Sequence, residues 1–443
     1  MPAPRDRADA LAAPVYAALY GDDEDARVCK DIPESACHHQ PRNFFYSSLA
    51  LTLTKTGDRL IDPKITLAWL FTALGAPGYL IGLLAPARES LSLIPQLFIA
   101  RAVRERPVRK WFWSAGSVGQ AAALIAMAGV ALTMRGAAAG WTILALVCAF
   151  ALARGMCSVS HKDVLGKTVS KTRRGAVSGY ASSLSGAAAL VFGGALIFGF
   201  AEGAGPVFFA TLLIVAAVLW LIAAGAYTLL KEEPGATEGG GNAAVEAIRQ
   251  LAILRDDAPF RRFVIARTAF IATSLSPPFY VAVAREQTGA ELAGLGGFLI
   301  ASATASLASG WIWGRFADRS SRGVLIAAGL AATLSAAIAA AGAFLHPPGS
   351  DSSAWYVAAL FVLALSHEGV RLGRSTYVVD LATAETRAAY TAVSNTVIGV
   401  LVLALGAITG VAYALTGPWI LVILASSTLI ASALSLRLKE VSG

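Results

Sequence analysis

Apolar runs of about twenty residues or more recur from near residue 44 to near residue 437, separated by short polar stretches. A helix needs about 20 apolar residues to cross a bilayer core of about 30 Å. The pattern predicts twelve spans, at 44–72, 78–103, 111–133, 140–165, 176–201, 206–230, 260–284, 291–317, 323–345, 353–380, 388–414 and 417–437. Segments of about ten alternating residues, the signature of a membrane barrel, are absent. The fold class is an all-α polytopic membrane protein. Asp62-Pro63 interrupts the first span and Pro277-Pro278 the seventh, at matching places. Proline removes a backbone donor and kinks a helix. Both spans are expected to break there, which a membrane tolerates only beside protein or a wet cavity.

The polar stretches repeat at half length. Glu105-Arg106 and Arg109 follow the second run; Gly314, Asp318-Arg319 and Arg322 follow the eighth. The same spacing separates Arg106 from Arg319 and Arg109 from Arg322. Arg154-Gly155 and Lys171-Thr172-Arg173 find Glu368-Gly369 and Glu385-Thr386-Arg387 at nearly that spacing again. So long a period means two similar halves rather than a solenoid, and paired six-helix halves are a transporter plan.

The Gly314, Asp318, Arg319 and Arg322 pattern resembles the loop motif of the major facilitator superfamily, Gly-x-x-x-Asp-Arg-x-x-Gly-Arg-[Arg/Lys]. That family carries it between helices 2 and 3, with a weaker copy between helices 8 and 9. Here the second copy is the better one, since the first has Arg101 at the place of Gly314 and Glu105 for the Asp. The resemblance covers roughly residues 43 to 437 and implies twelve helices in two pseudo-symmetric halves. The expected division is an arm at 1–43, bundles at 44–230 and 260–437, a linker at 231–259 and a tail at 438–443.

Composition agrees: 56% of the 443 residues are hydrophobic and 14% charged, where a soluble chain is about a quarter charged. The formal charge of +8 marks basic loops rather than nucleic-acid binding. Arg101, Arg104, Arg106, Arg109 and Lys110 follow span 2; Lys162, Lys167, Lys171, Arg173 and Arg174 follow span 4; Arg315, Arg319 and Arg322 follow span 8. The loops at Leu74–Gly78 and 201–206 have no Lys or Arg. Excess Lys and Arg mark the cytoplasmic side, so both termini are expected in the cytoplasm and the chain in the inner membrane. The Gly-rich linker holds no phosphate-loop pattern, which argues against an ATP-driven pump.

In the arm, Leu11, Val15 and Leu19 fall at helical spacing beside Tyr16 and Tyr20, as in a short interfacial helix. Cys29, Cys37, His38 and His39 follow. Their spacing fits no standard zinc pattern, so they are weak metal candidates and the thiols are expected reduced, with no disulfide framework. Cys148 and Cys157 sit in an apolar run as small buried hydrophobes.

Ionisable side chains inside spans are costly and mark function. Lys55, Asp58, Arg59 and Asp62 fall on one face of span 1; Arg88 and Glu89 lie in span 2, Arg154 and His161 in span 4, Arg267 in span 7, and His367, Glu368, Arg371 and Arg374 in span 10. Spans 1, 4, 7 and 10 are the helices that line the central cavity in the family the chain resembles. Seven cations (Lys55, Arg59, Arg88, Arg154, Arg267, Arg371, Arg374) face four carboxylates (Asp58, Asp62, Glu89, Glu368), an excess of three. Such a cavity suits an anionic or zwitterionic solute gripped by arginine forks; the alternative is internal pairing that closes gates. Asp58, Asp62 and Glu368 are the candidate proton carriers. Arg154-Gly155 resembles the family's fourth-helix motif, which is associated with proton coupling.

Glu105, Arg106, Arg109, Gly314, Asp318, Arg319 and Arg322 read as gating residues, with Arg319 and Arg322 able to pair across the halves. Span 5 is rich in glycine but has no Gly-Pro pair, which weighs against a drug antiporter. No enzyme constellation or cofactor motif is visible. The expectation is a monomeric secondary transporter of a small, anionic or zwitterionic solute, with proton coupling as a candidate drive. The rivals are an exporter of toxic compounds with the same fold, and a receptor or assembly factor acting through the arm.

Overall fold

Helices occupy all twelve expected places. The structure, a computed structural model, describes residues 7–20, 32, 34–93, 103, 105–198, 205–235, 251–288, 292–317, 319–346, 353–382 and 387–441. Before the first span come α1 (Arg7–Tyr20) and α2 (Glu34–His38). The first half comprises α3 (Gln40–Leu60), α4 (Thr66–Ala73), α5 (Gly78–Leu93), α6 (Lys110–Thr133), α7 (Gly136–Thr168), α8 (Lys171–Ile197) and α9 (Gly205–Thr228). After a short α10 (Ile253–Asp256), the second half comprises α11 (Ala258–Ala269), α12 (Ile271–Thr288), α13 (Leu292–Ala317), α14 (Ser321–Leu345), α15 (Ser353–Leu381), α16 (Arg387–Thr416) and α17 (Ile420–Leu436). Residues 236–250 of the linker lie outside the described residues.

Eight helical stretches among the described residues are long and apolar enough to cross a membrane, the last running through both α16 and α17. The stretches that fall short are the broken α3–α4 and α11–α12 and the charged α5. These are the helices that carry much of the intramembrane charge.

The first break lies where the sequence puts it. The Asp62 carboxylate accepts from the Lys64 backbone N at 2.8 Å, and Pro63 cannot continue the helix. The second break lies elsewhere. Pro277 and Pro278 stay inside α12, and the helix parts at Phe270 instead. The hydroxyls of Thr273, Ser274 and Ser276 take the carbonyls of Phe270, Ile271 and Ala272. These hydroxyls bond the carbonyls at the start of α12, and the helix continues through the proline pair, whose missing donors leave the carbonyls of Thr273 and Ser274 without their helical partners.

Among the described residues, the halves share an apolar core at one end. One apolar core runs from Phe71, Leu80 and Leu84 of the first half to Phe279, Leu295, Tyr413 and Leu421 of the second. At the basic-loop end each half keeps its own core: Phe260, Phe263, Trp313 and Tyr377 in the second, and Tyr46, Trp113, Val164 and Tyr227 in the first. Small residues let backbones approach at the joined end. A Cβ on Gly82 would lie 2.6 Å from the Gly406 carbonyl oxygen, and one on Gly296 would lie 2.5 Å from that of Gly193. Thus α5 packs on α16 and α8 on α13.

The arm docks on the first half. Gln40 donates to the Tyr16 hydroxyl at 2.9 Å, and Arg42 reaches Asp9 at 3.4 Å. Leu11, Val15 and Leu19 stay exposed on the other face of α1. One expectation for the arm fails: Cys37 is disulfide-bonded rather than reduced. That oxidation removes the thiolate a metal would need. Cys29 lies outside the described residues, and no group of three or more His, Cys, Asp or Glu able to hold a metal occurs among the described ones.

Candidate functional site

A cavity of about 600 Å³ lies between the halves. Its charged lining is Asp58 and Arg59 on α3, Asp62 and Lys64 at the break, Arg88 and Glu89 on α5, Arg154 on α7, Arg267 on α11, and Glu368, Arg371 and Arg374 on α15. His367 of α15 and Asn395 of α16 join them. The structure therefore gathers into one chamber charges that stand as far apart in sequence as Asp58 and Arg374. Lys55 is the exception. It does not line the cavity, and its ammonium donates to the Ser182 hydroxyl at 2.7 Å and the Ser178 carbonyl at 3.3 Å, on α8.

The joined end closes the chamber on one side. There Arg285 of α12 donates to the Trp69 carbonyl at 2.7 Å and the Thr72 hydroxyl at 2.5 Å, across the halves. Its guanidinium also stacks 5.4 Å from the Trp69 ring centre. On the basic-loop side the chamber continues into a lobe bounded by Arg371, Ser375, Thr391 and Asn395. Arg371, Ser375 and Thr391 are exposed there.

The carboxylates are largely taken. Asp58 accepts from Arg154 Nη1 through both oxygens, at 2.7 and 2.6 Å, and also from Arg88. Glu89 pairs with Lys64 at 2.7 Å, and Glu368 with Arg371 at 2.9 Å. Three cations have no carboxylate in contact among the described residues. Arg59 donates to the Ser306 hydroxyl at 3.3 Å. Arg267 donates to Ser394 and, at 2.9 Å, to the Asn395 side-chain oxygen. Its Nε is buried with no partner. Arg374 makes no hydrogen bond or ion pair among the described residues.

The lining holds seven cations, with Lys64 in the place expected for Lys55, against four carboxylates. The excess of three therefore survives, with one member exchanged. Lys64 had no signal in the sequence because it sits just past the Asp62-Pro63 break, outside any clear face. Ser306, Ser394 and Asn395 had none because neutral polar residues are common in spans.

Among the described residues, the contacts of Arg109 and Arg322 fall within their own halves. Arg109 bonds Asp163 of α7, and its backbone N donates at 2.9 Å to Glu232, beyond α9. Arg322 lies 3.2 Å from Glu440 and donates to the Leu438 carbonyl at 3.1 Å, beyond α17. The Arg322 side chain thus grips the segment after the last helix of its half, while at Arg109 the backbone N–H meets that segment and the guanidinium holds α7. The pairing of Arg322 across the halves fails because the halves are apart at this end. Arg319 is exposed, as are Glu105 and Arg106. Gly314 faces open space, and Asp318 lies outside the described residues.

No curated protein matches the chain in sequence. Among solved structures, it is similar to a mutant of the nucleoside transporter NupG, at 14% identity and TM-score 0.67, covering 89% of this chain and 99% of that one. It is similar to a POT family transporter in complex with a thioalcohol-conjugated peptide, at 13% identity and TM-score 0.68, covering 93% and 98%. It is also similar to a D-xylose-proton symporter, at 12% identity and TM-score 0.67, covering 90% and 98%. At such identities the likeness shows the fold alone. The family model of the Major Facilitator Superfamily matches residues 47–407. With that match, the repeated loop motif and the chamber between two bundles, the chain belongs to the major facilitator superfamily of membrane transporters.

Proposed function

We propose that the protein is a secondary transporter of the cytoplasmic membrane that moves a small anionic or zwitterionic solute by alternating access. The observation that carries this is the excess of three cations in a chamber closed at one end. Unpaired charge in a low-dielectric chamber is costly, and a solute carboxylate or phosphate supplies the missing counter-charge. The bundles at 44–230 and 260–437 are the moving halves, and both termini lie in the cytoplasm. The basic loops then put the open end of the chamber on the cytoplasmic side. Asp58, Asp62 and Glu368 carry the coupling proton. A carboxylate freed from its arginine in the opposite state gains a proton more readily than one held by it.

The test is a thermal-unfolding screen of the purified protein against organic anions, amino acids and cationic amphiphiles. A ligand at a hundred times its dissociation constant adds about 2.7 kcal/mol of stability. Anions should raise the midpoint, and the same solutes should show counterflow in proteoliposomes. If only cationic or neutral amphiphiles raise it, the solute class is wrong and export of such compounds takes its place.

A further inference from the structure

The lobe at the open end of the chamber is lined by four charged side chains: Arg267, Arg371, Arg374 and Glu368. All four belong to the second half. Glu368 is held by Arg371 at 2.9 Å, so this pair is neutral as a unit. Two guanidiniums remain, Arg267 and Arg374, with no carboxylate in contact among the described residues. Arg267 is braced from behind by Ser394 and by the Asn395 side-chain oxygen, while its Nε stays buried and unpartnered. Because Asn395 accepts through its oxygen, its amide nitrogen remains to donate into the lobe that it also lines.

We propose that the lobe is the seat of the solute's anionic group, and that this group is a doubly charged oxyanion of the phosphate or phosphonate monoester class. The proposal rests on the anion-transport reading and narrows it. The donors that face the ligand are two guanidiniums and one amide N–H. A group made only of acceptor oxygens satisfies them all, whereas an ammonium accepts from none and a hydroxyl accepts through one oxygen without supplying counter-charge. A single negative charge leaves one guanidinium uncompensated in a partly buried wall. A phosphate monoester carries about −1.5 to −2 charge at pH 7 and three acceptor oxygens, which matches both the charge left over and the donor set. The second half thus reads the anion. The first half, where Asp58 holds two arginines and Lys64 holds Glu89, faces the rest of the solute.

The experiment compares ligands of one shape and different charge on the purified full-length protein. Ethyl phosphate and ethyl sulfate are near-isosteric, but the sulfate carries one charge; propionate and succinate complete the set. Affinity is read by calorimetry and by the shift in unfolding midpoint at pH 7.5. Ethyl phosphate should bind at least about tenfold more tightly than ethyl sulfate or propionate. Arg267→Gln and Arg374→Gln should each remove that preference. Arg267→Lys keeps the charge without the fork and should retain part of it. The ligand comparison needs no variant, so a variant that misfolds leaves it intact. Equal binding of ethyl phosphate and ethyl sulfate would overturn the doubly charged group while leaving anion transport standing. Preference for succinate would replace the single oxyanion by a dicarboxylate. Binding by none of the four, with shifts from neutral or cationic solutes, would remove both readings.

Discussion

Arg154 grips Asp58 with one nitrogen, Nη1, which lies 2.7 Å from one carboxylate oxygen and 2.6 Å from the other. Arg88 takes the first of these oxygens as well. One carboxylate therefore holds two guanidiniums and ties α3, α5 and α7 into a single wall of the chamber. The two arginines reach it from 30 and 96 residues away in sequence.

Replacing Asp58 by Asn should leave both arginines without a counter-charge. Breaking a buried pair from one side costs about 3–5 kcal/mol. The Arg154 side chain is 38% exposed, and solvent screening reduces the expected loss to about 2 kcal/mol. Arg154→Gln should cost less, because Asp58 keeps Arg88. If Asp58 also carries the coupling proton, Asp58→Asn should retain solute counterflow and lose acid-driven accumulation. Unfolding midpoints and a pH-jump uptake assay read the two effects separately. A midpoint and an accumulation both equal to wild type would sink the pairing and the coupling roles together.

The glycine contact between α5 and α16 should control which side opens. A Cβ on Gly406 would stand 2.2 Å from the Pro86 ring and 2.8 Å from the Gly82 carbonyl oxygen. Neither can yield cheaply, since one is a ring in a helix and the other is backbone. Gly406→Ala should therefore push the halves apart at the joined end and favour the opposite state. Spin labels at Ala76 and Leu415, in a background without native cysteines, should show a longer distance distribution than the parent. An unchanged distribution with a lowered unfolding midpoint would mean that the contact serves stability alone.

Which charges line the chamber was legible because a charge inside an apolar run is costly and faces the bundle interior. Arg88, Arg154, Arg267, Arg371 and Arg374 were found that way and all line one chamber. Their partners were not legible, since pairing depends on packing between helices far apart in sequence. Lys55 shows the limit. It shares the face of Asp58 and Arg59, yet its longer stem reaches sideways to Ser182 of the neighbouring helix. The half-length repeat pointed correctly to two halves. Its arginines nevertheless serve each half separately, because the loops that carry them stand apart at the open end. The break at Phe270 was hidden for a different reason: proline marks where a helix is weak, yet α12 carries Pro277 and Pro278 inside it.

Arg285 should act as a latch on the closed side. It supplies two hydrogen bonds to α4 and a stacking contact on Trp69. These contacts exist only while the halves are joined at that end. Arg285→Ala should weaken the closed state by about 1–3 kcal/mol, the cost of losing a charged donor to backbone and hydroxyl acceptors. Population should move toward the other state, roughly tenfold per 1.4 kcal/mol. The label pair at Ala76 and Leu415 reads this as well. No change in the populations would assign Arg285 to local packing.

Glu232 offers the sharpest test of the loop motif. Its side chain is fully buried. It accepts from the backbone N of Arg109 at 2.9 Å and of Lys110 at 2.7 Å, and from Lys167 Nζ at 2.5 Å. A carboxylate at the start of α6 also meets the positive end of the helix dipole. Glu232→Ala should strand Lys167 with only the second oxygen of Asp163, 3.0 Å away, and leave two backbone donors unpaired. A loss on the order of 3 kcal/mol follows, read as a lowered unfolding midpoint. Solute affinity should stay within about twofold, because none of these groups lines the chamber and distant sites add independently. Had the motif gated the chamber across the halves, the same variant would change affinity or transport rate more than stability. An affinity loss with an unchanged midpoint would therefore favour the gating role over the anchoring of this loop within its own half.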